Sequence, residues 1–169
     1  MNPILNAWNA AEQEAAVTAL LSCCASQRWA GGVAAQRPFG NVEDLFAASD
    51  KVWATMQEPD WMEAFRAHPR IGERKVEHAT SQSKRWSSQE QASVDAAHTD
   101  TLSQLAAGNE RYEQLFGITY IVCATGKSAD EMLAILRRRL MSDRQTELRE
   151  AAEQQRQITQ IRLRKWLQP

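Results

Sequence analysis

The sequence predicts an all-α fold, a single-domain helical bundle of about seven to nine helices over residues 1–169. Three observations carry that expectation. Apolar residues recur at helical spacing through most of the chain, as in Val17, Leu20, Leu21 and Cys24. Capping-box spacings stand at Asn9/Glu12, Ser87/Glu90 and Ser128/Glu131, ahead of periodic runs. Only "ITYIVCA", residues 118–124, reads as a strand, and one apolar run has no partner with which to build a sheet.

Taken in order, the first helix is expected from the Asn9/Glu12 cap to near Ser26. "RWAGGVAAQRPFG" follows, and Arg37-Pro38 should break any helix there. Asn41 opens the next helix, whose Val42, Leu45, Phe46, Val52, Trp53 and Met56 share a side. A short third helix from about Asp60 to Ala67 delivers His68 at its C-terminal end. Residues 69–86 are basic, polar and weakly periodic, which reads as a loop with one turn of helix at most. A connection of that length in a compact domain points towards function. A long helix from Ser87 is expected to be interrupted at Gly108-Asn109, Ser128 caps another over "MLAILRRRL", and "TELREAAEQQRQITQIRLRKWL" is a long final helix.

Composition limits the chemistry. With 43% hydrophobic and 24% charged residues the chain is ordinary for a soluble globular domain, and a net charge of -1 offers no field for a nucleic-acid backbone or an anionic membrane. The cysteines Cys23, Cys24 and Cys123 are odd in number and lack a C-x-x-C pair, so buried thiols in a reducing compartment are expected rather than disulfides. The start of the chain has no basic segment followed by an apolar run, no stretch approaches bilayer length, and "RKWLQP" is not a peroxisomal address. The expected location is the cytoplasm. There is no glycine-rich phosphate loop, H-E-x-x-H or G-x-S-x-G, and His68, His78 and His98 are not spaced for a shared helical metal face. No metal site is expected.

What remains is "AHPRIGERK", residues 67–75. Pro69 pushes His68 towards extended backbone, hence to a helix terminus. A histidine there could be an acid–base catalyst or could simply interact with the helix dipole. Glu90 is equally divided, since "SSQE" has the form of a capping box as well as of a catalytic acid. His78 and His98 sit among polar residues and read as solvated. Arg66, Arg70, Arg74 and Lys75 could draw an anionic substrate or form a solvated face. Trp29, Trp53 and Trp61 read as core, and Arg162 as a surface arginine.

These residues, with "RWAGGVAAQRPF", "AHPRIGE", "SSQEQA", "GNERYEQLFG", "IVCATGKSADEML" and "TELREAAEQQRQITQIRL" in order over nearly the whole chain, resemble the 2-oxo-4-hydroxy-4-carboxy-5-ureidoimidazoline decarboxylases of urate degradation, specifically the bacterial branch. The resemblance implies an all-helical fold, no metal or organic cofactor, and conversion of that small-molecule substrate to (S)-allantoin with loss of carbon dioxide. It makes His68 the proton donor, Pro69 its neighbouring substrate contact and Glu90 the catalytic acid. Ser87, Ser88, Gln89 and Gln91 would complete a substrate-contacting stretch, with Tyr120, Ile121, Val122, Cys123 and Ala124 a second ligand contact and Arg162 a planar donor to substrate. Two departures from the family pattern are Ser93, where glycine is frequent, and Ile118-Thr119 after the F-G pair. The resemblance points to a homodimer, while the amphipathic helices alone could equally close one core. A ureide-binding or helical interaction protein without turnover is the rival reading, and it predicts no joint pocket near residues 68, 90 and 120.

Overall fold

The computed structural model describes residues 2–72, 80–95 and 97–168, the side chain of Asp95 excepted. Ten helices follow one another: α1 (Pro3–Asn9), α2 (Gln13–Leu21), α3 (Gln27–Ala34), α4 (Val42–Trp53), α5 (Glu58–Arg66), α6 (Ser81–Glu90), α7 (Ala92–Asp95), α8 (Thr99–Phe116), α9 (Ala129–Arg139) and α10 (Arg144–Trp166). No strand occurs among the described residues, so the all-α class holds, with a helix count slightly above the expected range.

The chain forms two compact units, one of residues 1–64 with 156–169 and one of residues 65–155. In the first, Leu5, Leu20, Trp29, Leu45 and Leu163 are fully buried, and Trp53 nearly so; Trp61 is half-buried. The Trp29 indole N–H donates to Ser49 O at 3.3 Å, which satisfies its one polar atom inside the core. Trp8 stacks on Phe39 and meets the edge of Trp166, with the Arg37 guanidinium over its ring.

Several element boundaries differ from expectation, for local reasons. Asn2 caps α1 by accepting from Ile4 N and Leu5 N, so Asn9 closes a helix instead of opening one. Its amide pairs both ways with the backbone of Phe39, and α2 starts at Glu12 with no side-chain cap. The Asn9/Glu12 capping box therefore does not form. The first helical run stops at Leu21, and Ser26 begins a new helix by accepting from Trp29 N. That helix, α3, runs through the Gly31-Gly32 pair and ends before Arg37-Pro38. Gly32 is needed there because a Cβ would lie 3.0 Å from Val52 Cγ1 of α4.

The second unit carries three more boundary changes. Thr80 caps α6 through Ser83 N, so residues 81–86, expected as loop, are helical and Ser87 lies in the last turn. The Ser87/Glu90 capping box is thus overturned, because an earlier cap starts the helix six residues upstream of Ser87. The long helix expected from Ser87 breaks at Gln91 and before α8, and Gly108-Asn109 causes no interruption: α8 runs through it. A Cβ at Gly108 would lie 2.5 Å from Leu136 Cδ2, so this glycine permits close packing of α8 on α9. Asn41 and Ser128 do open α4 and α9, the latter with both halves of the capping box formed.

Candidate active site

His68 lies two residues beyond the end of α5, in a turn closed by its N–H to Phe65 O at 3.0 Å. Its ring is half-buried, and Nε2 stands 2.7 Å from Oε1 of Gln155, a fully buried side chain on α10. The buried Pro69 follows, and the Ile71 carbonyl accepts from Asn109 Nδ2 at 3.0 Å. At Gly72 the backbone turns left-handed, with φ of 91°, and its N–H donates to Gln91 Oε1 at 3.0 Å. The chain around His68 is thereby bonded to α8, to α10 and to the residue that follows Glu90.

Along α6, Ser87 is buried, Ser88 and Gln89 are exposed, and Glu90 and Gln91 are half-buried. Glu90 ends the helix, where a carboxylate faces the negative pole of the helix dipole. Initiation of α6 therefore gives no structural reason for an acid at that position.

Residues 120–124 belong to no helix or strand and are almost wholly buried. Without a partner strand, three of their backbone groups pair with side chains. Cys123 N–H donates to Gln154 Oε1 at 2.8 Å, Lys127 Nζ donates to Cys123 O at 2.7 Å, and Arg139 donates to Ile121 O at 2.6 Å. Arg139 is itself paired with Glu147 at 2.7 Å, and the Tyr112 hydroxyl donates to the same carboxylate at 2.6 Å. All three groups are buried, and burial pushes the Tyr112 and Tyr120 phenols well above their ordinary range.

Arg70 is held by Glu113 in a two-pronged pair, at 2.8 and 2.6 Å, so this charge has a protein partner. Arg66 and His98 are exposed; Arg74, Lys75 and His78 lie outside the described residues. Arg162 belongs to the first unit and is 3% exposed, which overturns its reading as a surface arginine. Its charge acts on the buried Cys23 and Cys24 thiols, which burial pushes upward, Cys24 to about 11. The three cysteines are buried, as expected, and none of them is in a disulfide. Among the described residues no three His, Cys, Asp or Glu side chains group to hold a metal ion. In the same range no helix is long and apolar enough to cross a membrane.

Sequence reading missed Gln154, Gln155, Asn109 and Arg139. The available signal was polar residues at core-facing positions of helices: Asn109, Arg139, Glu147 and Gln155 are each at most 3% exposed.

Among the described residues the fold is helical, sets a histidine against a buried amide and fastens a buried irregular segment with side chains. The family model described as OHCU decarboxylase matches residues 9–164, and the chain belongs to that family. It is 34% identical over 144 residues to the uric acid degradation bifunctional protein TTL of Arabidopsis thaliana, covering 85% of this chain and 44% of that protein, so it spans less than half of that relative's length. It is 30% identical over 138 residues to the 2-oxo-4-hydroxy-4-carboxy-5-ureidoimidazoline decarboxylase of Mus musculus, covering 79% of this chain and 75% of that one. Among solved structures it resembles an OHCU decarboxylase crystallised in the presence of (S)-allantoin, with a TM-score of 0.76, 30% identity, and coverage of 92% and 97% of the two chains.

Proposed function

We infer that this chain decarboxylates 2-oxo-4-hydroxy-4-carboxy-5-ureidoimidazoline to (S)-allantoin in urate degradation, acting as one domain in the cytoplasm, alone or as a homodimer. The observation that carries the reading is the family match over residues 9–164, in a fold that puts His68 on a buried hydrogen-bond partner in the same unit as Glu90 and residues 120–124.

The substrate's own structure makes the chemistry accessible to so few polar groups. Its carboxylate is on a ring carbon next to a C=N carbon, so it is a β-imino acid. When the bond to the carboxylate breaks, its electron pair forms a carbon–carbon double bond, and the C=N pair moves to nitrogen, which takes a proton. Carbon dioxide leaves. The enol that remains loses its hydroxyl proton as the carbon bearing the ureido group gains one, and the face of that gain sets the product's handedness. One proton is consumed overall. The substrate is its own electron sink, which removes the need for an organic cofactor.

In this scheme His68 supplies the proton, and Glu90 holds the hydroxyl or the ureido N–H groups and takes the hydroxyl proton. Pro69, Ser87, Gln91 and the backbone of 120–124 shape the recognition surface and keep water from the intermediate. Arg162 is the planar donor that the family resemblance assigns to a carbonyl or the carboxylate of the substrate. The test is circular dichroism of allantoin formed from freshly generated substrate, with and without the protein in metal-free buffer. Fast appearance of the (S) enantiomer is expected, with large losses in His68→Asn and Glu90→Gln. A racemic product at the spontaneous rate would leave the fold intact and end the enzyme assignment.

A further inference from the structure

We propose that Gln155 is a positioning residue for the reaction: its side-chain oxygen holds the proton of His68 on Nε2 and so confines proton exchange with substrate to Nδ1. This rests on the reading of His68 as proton donor. Gln155 Oε1 is 2.7 Å from Nε2, a hydrogen-bond distance, and the side chain is fully buried on α10. An amide oxygen in that place can only accept. Nε2 must then carry a hydrogen both in neutral imidazole and in imidazolium, and only Nδ1 changes its proton between the two states.

The choice of an amide rather than a carboxylate has a consequence for timing. A carboxylate at this distance would favour imidazolium and lift the histidine's pKa. An amide orients the ring and fixes its tautomer without adding a charge. His68 can then deliver its Nδ1 proton to the substrate and recover one from solvent, as a reaction that consumes one proton per turnover requires. Glu90 at the end of α6, Glu150 on α10 and the Arg70–Glu113 pair are charged groups of the same unit. They are common to wild type and variants, so the comparison of Gln155→Glu with Gln155→Leu separates an added charge at 155 from loss of the amide.

The experiment combines ring nitrogen NMR of His68, assigned by its loss in His68→Asn, with pH profiles of kcat and KM for Gln155→Glu and Gln155→Leu. Above the ring's pKa the wild type should show the Nε2–H tautomer. Gln155→Glu should raise the ring pKa by about one unit or more and move the alkaline fall in kcat up with it, because the donor form survives to higher pH. Gln155→Leu should lose tautomer preference and lower kcat by about tenfold to a hundredfold with KM within about threefold. A wild-type Nδ1–H tautomer, or a ring pKa that does not move in a folded Gln155→Glu protein, would overturn the proposal. A ring pKa that moves while the kinetic profile stays put would instead sink His68 as the proton donor and leave the contact with Gln155 standing. The wild-type tautomer needs no variant to fold.

Discussion

The backbone N–H of Cys123 donates to Oε1 of Gln154 at 2.8 Å, and this bond fastens a buried segment that is neither helix nor strand to α10. Gln154→Leu removes the acceptor. Leaving the amide unsatisfied should cost about 1–3 kcal/mol of stability. If residues 120–124 contact substrate, KM should rise more than kcat falls, and steady-state kinetics alongside urea unfolding checks both.

The Arg139–Glu147 pair is 3% and 2% exposed, and Arg139 also donates to Ile121 O. Glu147→Ala would strand a buried guanidinium, with an expected loss of about 3–5 kcal/mol. Tyr112→Phe removes the hydroxyl that donates to the same carboxylate and accepts from Arg139, leaves the two charges paired, and should cost less, about 1–3 kcal/mol. Denaturant midpoints of the two variants should separate accordingly.

Gly108→Ala sets a gain in helix propensity of about 1 kcal/mol against insertion of a methyl group 2.5 Å from Leu136 Cδ2. Leu136 is fully buried, so crowding of about 1–3 kcal/mol should win. Thermal melts should show Gly108→Ala destabilised, and a Gly108→Ala/Leu136→Val double variant should lose less than the two single changes added together.

Burial raises the Cys24 thiol from 9.0 to about 11. A thiol whose folded pKa lies above its unfolded value contributes stability that is fully present below pH 9 and is lost as pH rises towards 11, because only the unfolded chain ionises readily. The melting temperature should therefore fall across that window, less steeply in Cys24→Ala. Alkylation at pH 8 should reach Cys24 only after denaturation.

Helices whose starts depend on local signals were readable in the sequence: Asn41 and Ser128 supply caps within three residues of the groups they satisfy. The run 118–124 was readable as having no sheet to join, but the strand its composition suggests does not form. The place of Asn9 was not readable, because its partner Phe39 is thirty residues away and competes with capping only in the folded chain. Gly108 looked like an interruption, whereas in the fold it lies inside α8 and lets α9 approach. For the candidate site, His68 stood out by its proline, but Gln155 looked like one more polar residue in "EQQRQ". Its meaning depends on a contact across 87 positions.

Consecutive residues on an α-helix project about 100° apart. Gln154 takes the Cys123 amide and Gln155 the His68 ring, so one step along α10 sets the angular offset between two distant stretches of chain. The helix works as a caliper whose jaws are adjacent side chains. Substituting along its exposed flank leaves the setting alone. A single inserted residue between Asp143 and Gln154 would swing both jaws by about 100° while the helix itself remained intact.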